Sequence, residues 1–158
     1  MSSFAQQIDA YLAGPAALRT ATAGLTRDQL TARPVPGKWS ALEVVCHLAD
    51  FDPILADRMK RIIAEDRPQL LGADEKRFAA ALAYHERDLE EELTIIERTR
   101  SQLARILRTV KPEALQRVGV HSERGPRTLE QLLTGAINHI PHHVHFIHDK
   151  RKALGVPA

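Results

Sequence analysis

The sequence predicts an all-α protein, a four-helix bundle, and three observations carry that expectation. Apolar residues recur at spacings of three, four and seven over long stretches, the mark of helices with one buried face. Ser40 with Glu43, and Thr128 with Gln131, form the S/T-x-x-E/Q pattern that opens a helix. Glycine and proline fall mainly between the periodic stretches, and no segment reads convincingly as a strand.

The first helical segment carries Phe4, Ile8, Tyr11 and Leu12, is expected to break at Gly14-Pro15, and continues with Leu18 and Leu25. Thr26 then caps a short turn through Leu30. The stretch RPVPGK, 33–38, cannot continue a helix and reads as a loop. The second helix is expected from near Ala41 to about Asp66, kinked at Pro53. After a loop around Pro68 to Ala73, with Asp74 as a cap, one long third helix is expected to carry Leu82, Leu89, Leu93, Ile96, Leu103 and Leu107. Lys111-Pro112 ends it. Val118 to Arg127, with Gly119, Gly125 and Pro126, reads as a loop with at most a short extended piece. The last helix runs from Thr128 to about Ala153, where Gly155 and Pro157 stop it. No linker divides the chain, so a single domain over 1–158 is expected.

Bulk properties narrow the function classes. The chain has 158 residues, of which 44% are apolar and 27% charged, enough to bury a core without covalent staples. Aromatic residues are 4% and the formal net charge is +2 with the signs interspersed, which argues against a nucleic-acid surface. Cys46 is the single cysteine, so no intrachain disulfide forms. No apolar run approaches membrane-span length, and the N-terminus lacks the basic start and apolar stretch of a secretory signal. A cytoplasmic protein without membrane or nucleic-acid partners is expected.

Five of the eight histidines lie between His139 and His148. At ~100° per residue, His139 and His143 project within ~40° of each other on one helix face. They flank the apolar stripe of Leu132, Leu133, Ala136, Ile137, Ile140, Val144 and Ile147, whereas His142 points ~160° away from its centre. Two imidazoles one turn apart can converge on one ion. Position 140 is Ile, so the glutamate of the HExxH protease motif is absent. A third ligand must come from another helix. His47, flanking Val44, Leu48, Phe51 and Leu55, is the best candidate; His85 and His121 compete but are expected to be exposed. Pro141, between the paired histidines, frees the Ile137 carbonyl and can aim the two rings. Three neutral imidazoles leave a position open, where a divalent ion makes a water or thiol more acidic. Such ligation suits zinc, nickel, iron or copper.

Other residues are weighed beside this set. Asp50, three residues after His47, is a candidate catalytic base or an acceptor at the metal edge. Arg58 faces inward if Pro53 does not rotate the register, and there it either snorkels or binds an anionic substrate group. Trp39 and Cys46 read as packing, and Tyr84 and Asp88 as a local hydrogen-bonded pair.

PGKWSALEVVCHLAD, 36–50, together with NHIPHHVHFI, 138–147, resembles the DinB-like (YfiT-like) superfamily over most of the chain. The resemblance implies a four-helix bundle and a divalent transition metal, zinc or nickel foremost, held by His47, His139 and His143. It also implies a metal-dependent enzyme acting on a small molecule, with a low-molecular-weight thiol as co-substrate in S-transferase-like relatives, and a homodimer. A non-catalytic module that binds metal or a small ligand is the alternative.

Overall fold

A computed structural model describes residues 3–157; Met1, Ser2 and Ala158, which the expected domain includes, lie outside the described residues. Four long helices make the bundle: α1 (Phe4–Thr22), α3 (Ala41–Ala64), α5 (Leu89–Leu107) and α6 (Leu129–Ala153). Two short helices, α2 (Arg27–Thr31) and α4 (Glu75–Ala81), interrupt the connections. α1 packs against α5 and α6, and α3 packs against the same two, so α1 and α3 stand on one diagonal although they are consecutive long helices. No helix of the described residues is long and apolar enough to cross a membrane.

The helix starts follow their sequence signals. Ser40 Oγ accepts the Glu43 N–H, while Glu43 returns its carboxylate to the Ser40 N–H. Thr128 with Gln131 and Thr26 with Gln29 do the same. Each box satisfies two backbone donors that would otherwise lack partners at a helix end.

Three expectations are corrected. The first helix does not break at Gly14-Pro15: α1 runs through both. Proline at 15 cannot donate to the Tyr11 carbonyl four residues back, but Arg100 of α5 donates to that carbonyl from Nη1 at 2.8 Å. The ladder is repaired from outside. Second, the long third helix is two pieces. α4 ends at Ala81, Ala83 takes a positive φ of 49°, a 3-10 turn covers Tyr84–Glu86, and α5 begins only after Asp88. Leu82, counted in the buried stripe, is 44% exposed. Asp88 accepts the Glu91 N–H as the cap of α5 rather than pairing with Tyr84.

Third, a small sheet exists where a loop was expected. β1 (Gln69–Leu70) pairs in parallel with β2 (Val118–His121), which pairs antiparallel with β3 (Gly125–Thr128). The β2–β3 hairpin lies against α3 and α6. Gly119 is required there, because a Cβ would come within 2.8 Å of Leu70 and 2.9 Å of Ile62.

The core divides into two clusters. Leu93 and Ile96 of α5 serve one; Leu103 and Leu107 serve the other. Between them stands Arg100, fully buried. It donates to both Asp52 oxygens (2.7 and 2.9 Å), to the Tyr11 carbonyl and to the Ala136 carbonyl at 2.9 Å, and lies 4.4 Å from the Tyr11 ring centre. One side chain on α5 thus reaches α1, α3 and α6. Its position was visible in the sequence as a cation at the seam spacing between Ile96 and Leu103.

Candidate metal centre

His47 is placed by α3, seven residues after the cap at Ser40. It is 1% exposed and packed against two tilted aromatic rings, Trp39 at 5.2 Å and Phe51 at 4.6 Å between ring centres. His139 and His143 come from α6, which continues through Pro141 without a break. Their rings stand edge to face with centres 4.9 Å apart, one turn apart on the helix. The structure brings these three side chains together: one ligand atom from each lies within 4.8 Å of the others. His47 Nε2 and His139 Nε2 face one another at 3.2 Å. Two imidazole nitrogens on one tetrahedral ion at ~2.05 Å are separated by about 3.3 Å, so this spacing suits a shared ion.

The electrostatics favour the same chemistry. Burial lowers the His47 pKa, although Glu75 and Asp50 pull it back upward. Burial, reinforced by the neighbouring His47, brings His139 down to about 4. Burial with His139 and His47 brings His143 down to about 3. All three rings are therefore neutral near pH 7, with lone pairs available to a cation. Nδ1 of each ring is buried without a hydrogen-bond partner among the described residues. Buried unpartnered polar atoms are costly in a packed interior, and three of the six such side-chain atoms among the described residues sit on these rings.

A cavity of about 600 Å³ opens beside the triad, with His47 and His139 at its wall, Phe51 and Leu55 of α3 alongside, and Gly135 of α6 opposite. A larger cleft of about 1030 Å³, lined by residues such as Ile54, Leu71, Phe78 and Leu82, contains none of the triad; it is an apolar groove between α3, α4 and β1.

The remaining candidates fall as follows. Asp50 lies near the triad, but both its oxygens are taken by Arg87, at 2.9 and 3.0 Å, and Arg87 also pairs with Glu92. The carboxylate that approaches the triad is Glu75, at the first turn of α4, with Oε2 4.0 Å from His47 Nε2. Sequence reasoning missed it, because nothing local places α4 over α3. Arg58 is buried on the inner side of α3, as the register predicted. His85 is exposed, as expected, but His121 is not: it is 6% exposed, held in β2. His142, His145 and His148 are exposed. Cys46 is buried, its thiol donates to the Tyr84 carbonyl, and burial pushes its pKa up to about 12, so it packs rather than reacts.

Comparison with known proteins shows the family and the fold. Among curated proteins, one from Oceanobacillus iheyensis is 28% identical over 130 residues, covering 82% of this chain and 75% of its own. YfiT of Bacillus subtilis is 27% identical over 142 residues, covering 89% and 80%. Both carry the name "putative metal-dependent hydrolase". The solved structure of YfiT, described as having an unusual four-helix bundle topology, superposes with a TM-score of 0.92 at 25% identity, covering 99% of this chain and 91% of that one. The sequence profile of the DinB superfamily matches residues 10–147, and the chain belongs to that superfamily.

Proposed function

We propose that this protein is a metal-dependent enzyme acting on a small molecule, with His47, His139 and His143 holding one divalent transition metal, zinc or nickel. The observation that carries this reading is the 3.2 Å approach of His47 Nε2 to His139 Nε2, with the His143 ring within reach of both. Three neutral ligands leave a site open to exchange, unlike the four-ligand closed sites of structural zinc. A divalent ion so held supplies Lewis acidity and a nucleophile at neutral pH.

The chain's own residues supply the rest. Trp39 and Phe51 pack on His47 and keep water from that face of the ring. Glu75, 55% exposed and facing the cavity, is the group that accepts and returns a proton. Asp50 acts through Arg87 as a positioning residue on α3.

The names of the relatives favour hydrolysis. Transfer to a low-molecular-weight thiol rests on the family resemblance alone and is the competing outcome of the same experiment. Protein purified without a metal-affinity tag is expected to carry about one transition metal per chain, and His143→Ala almost none. Loaded protein is then offered ester and amide probes with and without a low-molecular-weight thiol. Cleavage without thiol supports hydrolysis, and turnover only with thiol supports transfer. No metal in the parent after incubation with zinc or nickel overturns the proposal. Metal without turnover of any probe leaves the non-catalytic binding module.

A further inference from the structure

The cavity beside the triad has a second lobe, of about 310 Å³, that shares Leu55, Arg58, His121, Arg124 and Gly135 with the first. The ionisable groups lining this lobe are all basic: Arg58, His121, Arg124 and Arg127. The first lobe is mixed, with Asp74, Glu75 and Glu123 beside Arg58, Lys76 and Arg124. Along one continuous space the lining thus changes from mixed charge beside the triad to wholly basic in the second lobe.

These cations are poorly compensated. Among the described residues, none of the three arginines has a carboxylate oxygen within 4.0 Å. Arg58 is only 9% exposed, and its Nη2 donates to the Leu71 carbonyl. Its Nε is buried with no partner among the described residues. A desolvated guanidinium with an unfilled donor is unfavourable unless something accepts from it. Burial first, then the like charge of Arg124, lower its pKa, against an upward pull from Glu123 and Asp57. His121 Nδ1 accepts the Glu123 N–H, which leaves Nε2 as the donor of the neutral ring. Burial and the nearby arginines keep that ring neutral.

We propose that Arg58, His121, Arg124 and Arg127 form the subsite for an anionic terminus of the substrate, a carboxylate or a phosphate, whose reacting end lies at the histidine triad. The substrate is then a small bifunctional molecule, anionic at one end and carrying the scissile or electrophilic group at the other. Three guanidinium groups suit planar, bidentate recognition of such an anion. The β2–β3 hairpin brings in three of the four residues, which gives the small sheet a function. That the anion belongs to a substrate rests on the metal-enzyme reading; that the lobe binds an anion does not.

Gly135 offers a clean test. It lines both lobes, and a Cβ built on it meets nothing within 4 Å, so Gly135→Leu fills the cavity without disturbing packing and improves helix propensity. Inorganic phosphate and acetate are titrated calorimetrically into full-length protein, both metal-loaded and chelator-treated. At least one anion is expected to bind in both states. Arg124→Gln, Arg127→Gln and Gly135→Leu should each weaken it by tenfold or more, with unchanged metal content and no loss of melting temperature. Arg124 is exposed and Arg127 partly so, which keeps these two variants folded. Absence of binding in the parent, or binding that all three variants retain, overturns the proposal. Anion binding that requires the metal and ignores the arginines places the anion at the triad and also overturns it. A chain that holds no metal yet binds the anion through these arginines removes the metal-enzyme reading and leaves the subsite standing.

Discussion

Arg100 donates a hydrogen bond to the carbonyl of Tyr11, the one acceptor in α1 that Pro15 deprives of its helical donor. A proline inside one helix and an arginine inside another are thus two halves of one arrangement. The same guanidinium neutralises buried Asp52 and reaches the α6 backbone three residues before His139. Arg100→Met leaves Asp52 as an unpaired buried charge and is expected to cost about 3–5 kcal/mol in urea unfolding. Adding Asp52→Leu should return most of that. The remainder, about 1–3 kcal/mol for the orphaned Tyr11 carbonyl, should be recovered by Pro15→Ala in the double variant but not in the parent. Additive effects of the three changes would refute the coupling.

Gly14 is the companion of this contact. A Cβ there would lie 2.6 Å from Arg100 Nη1 and 3.1 Å from Ile140 Cδ1. Gly14→Ala therefore overpacks the bundle despite alanine's better helix propensity, and is expected to destabilise by about 1–3 kcal/mol. A thermal melt showing stabilisation would mean that Arg100 yields freely.

Asp50 and Glu75, two carboxylates near His47, should separate cleanly. Asp50→Asn removes charge-assisted hydrogen bonds to Arg87 and is expected to cost roughly 1.5–3 kcal/mol of stability. Glu75→Gln, at an exposed position, should change stability by no more than about 0.5 kcal/mol. Both variants should keep metal by elemental analysis. Only Glu75→Gln should lower kcat directly, by roughly 10²–10⁴ fold. The reverse pattern would return the base to Asp50.

Stability should fall as the solution is acidified below about pH 6.5. His139 binds its proton at about 4 in the folded chain, against an ordinary 6.5. Between those values the unfolded chain holds more protons, so lower pH favours unfolding. The loss begins near the unfolded value and is complete by about pH 4, amounting to up to about 3 kcal/mol for His139. His143, brought down to about 3, extends the window lower. Metal should leave over the same range, since protons and cations compete for the same nitrogens. Chemical unfolding followed from pH 7.5 to 4 tests this, and a His139→Gln chain should show a shallower slope.

What the sequence made legible was what neighbouring residues decide. The capping boxes at Ser40 and Thr128 and the long apolar periodicities located the helix starts and buried faces. The 100° turn per residue placed His139 and His143 together and His142 outside. What escaped was decided by contacts distant in sequence. Leu82 kept the phase of the α5 stripe, yet the chain breaks at Ala83 because α4 packs separately. The strands hold two to four residues with glycine and proline among them, and what joins β1 to the hairpin is the pairing of Gln69 and Leu70 with Val120 and His121, about 50 positions later. His121 looked like a loop residue until that pairing buried it. Pro15 looked like a break until Arg100, 85 positions later, supplied the missing donor.

The His47–His139 pair has a consequence for how the chain is assembled. The two residues are 92 positions apart, and their helices are second and fourth among the long ones. Bringing such distant points together carries a loop-closure entropy of about 4 kcal/mol at (3/2)RT ln n. His139 and His143, in contrast, need only one turn of α6. A partly folded chain therefore offers a two-nitrogen half-site, and the third nitrogen arrives only when α3 docks on α6. An ion held by all three rings, as proposed, would act as a clasp on that last docking step.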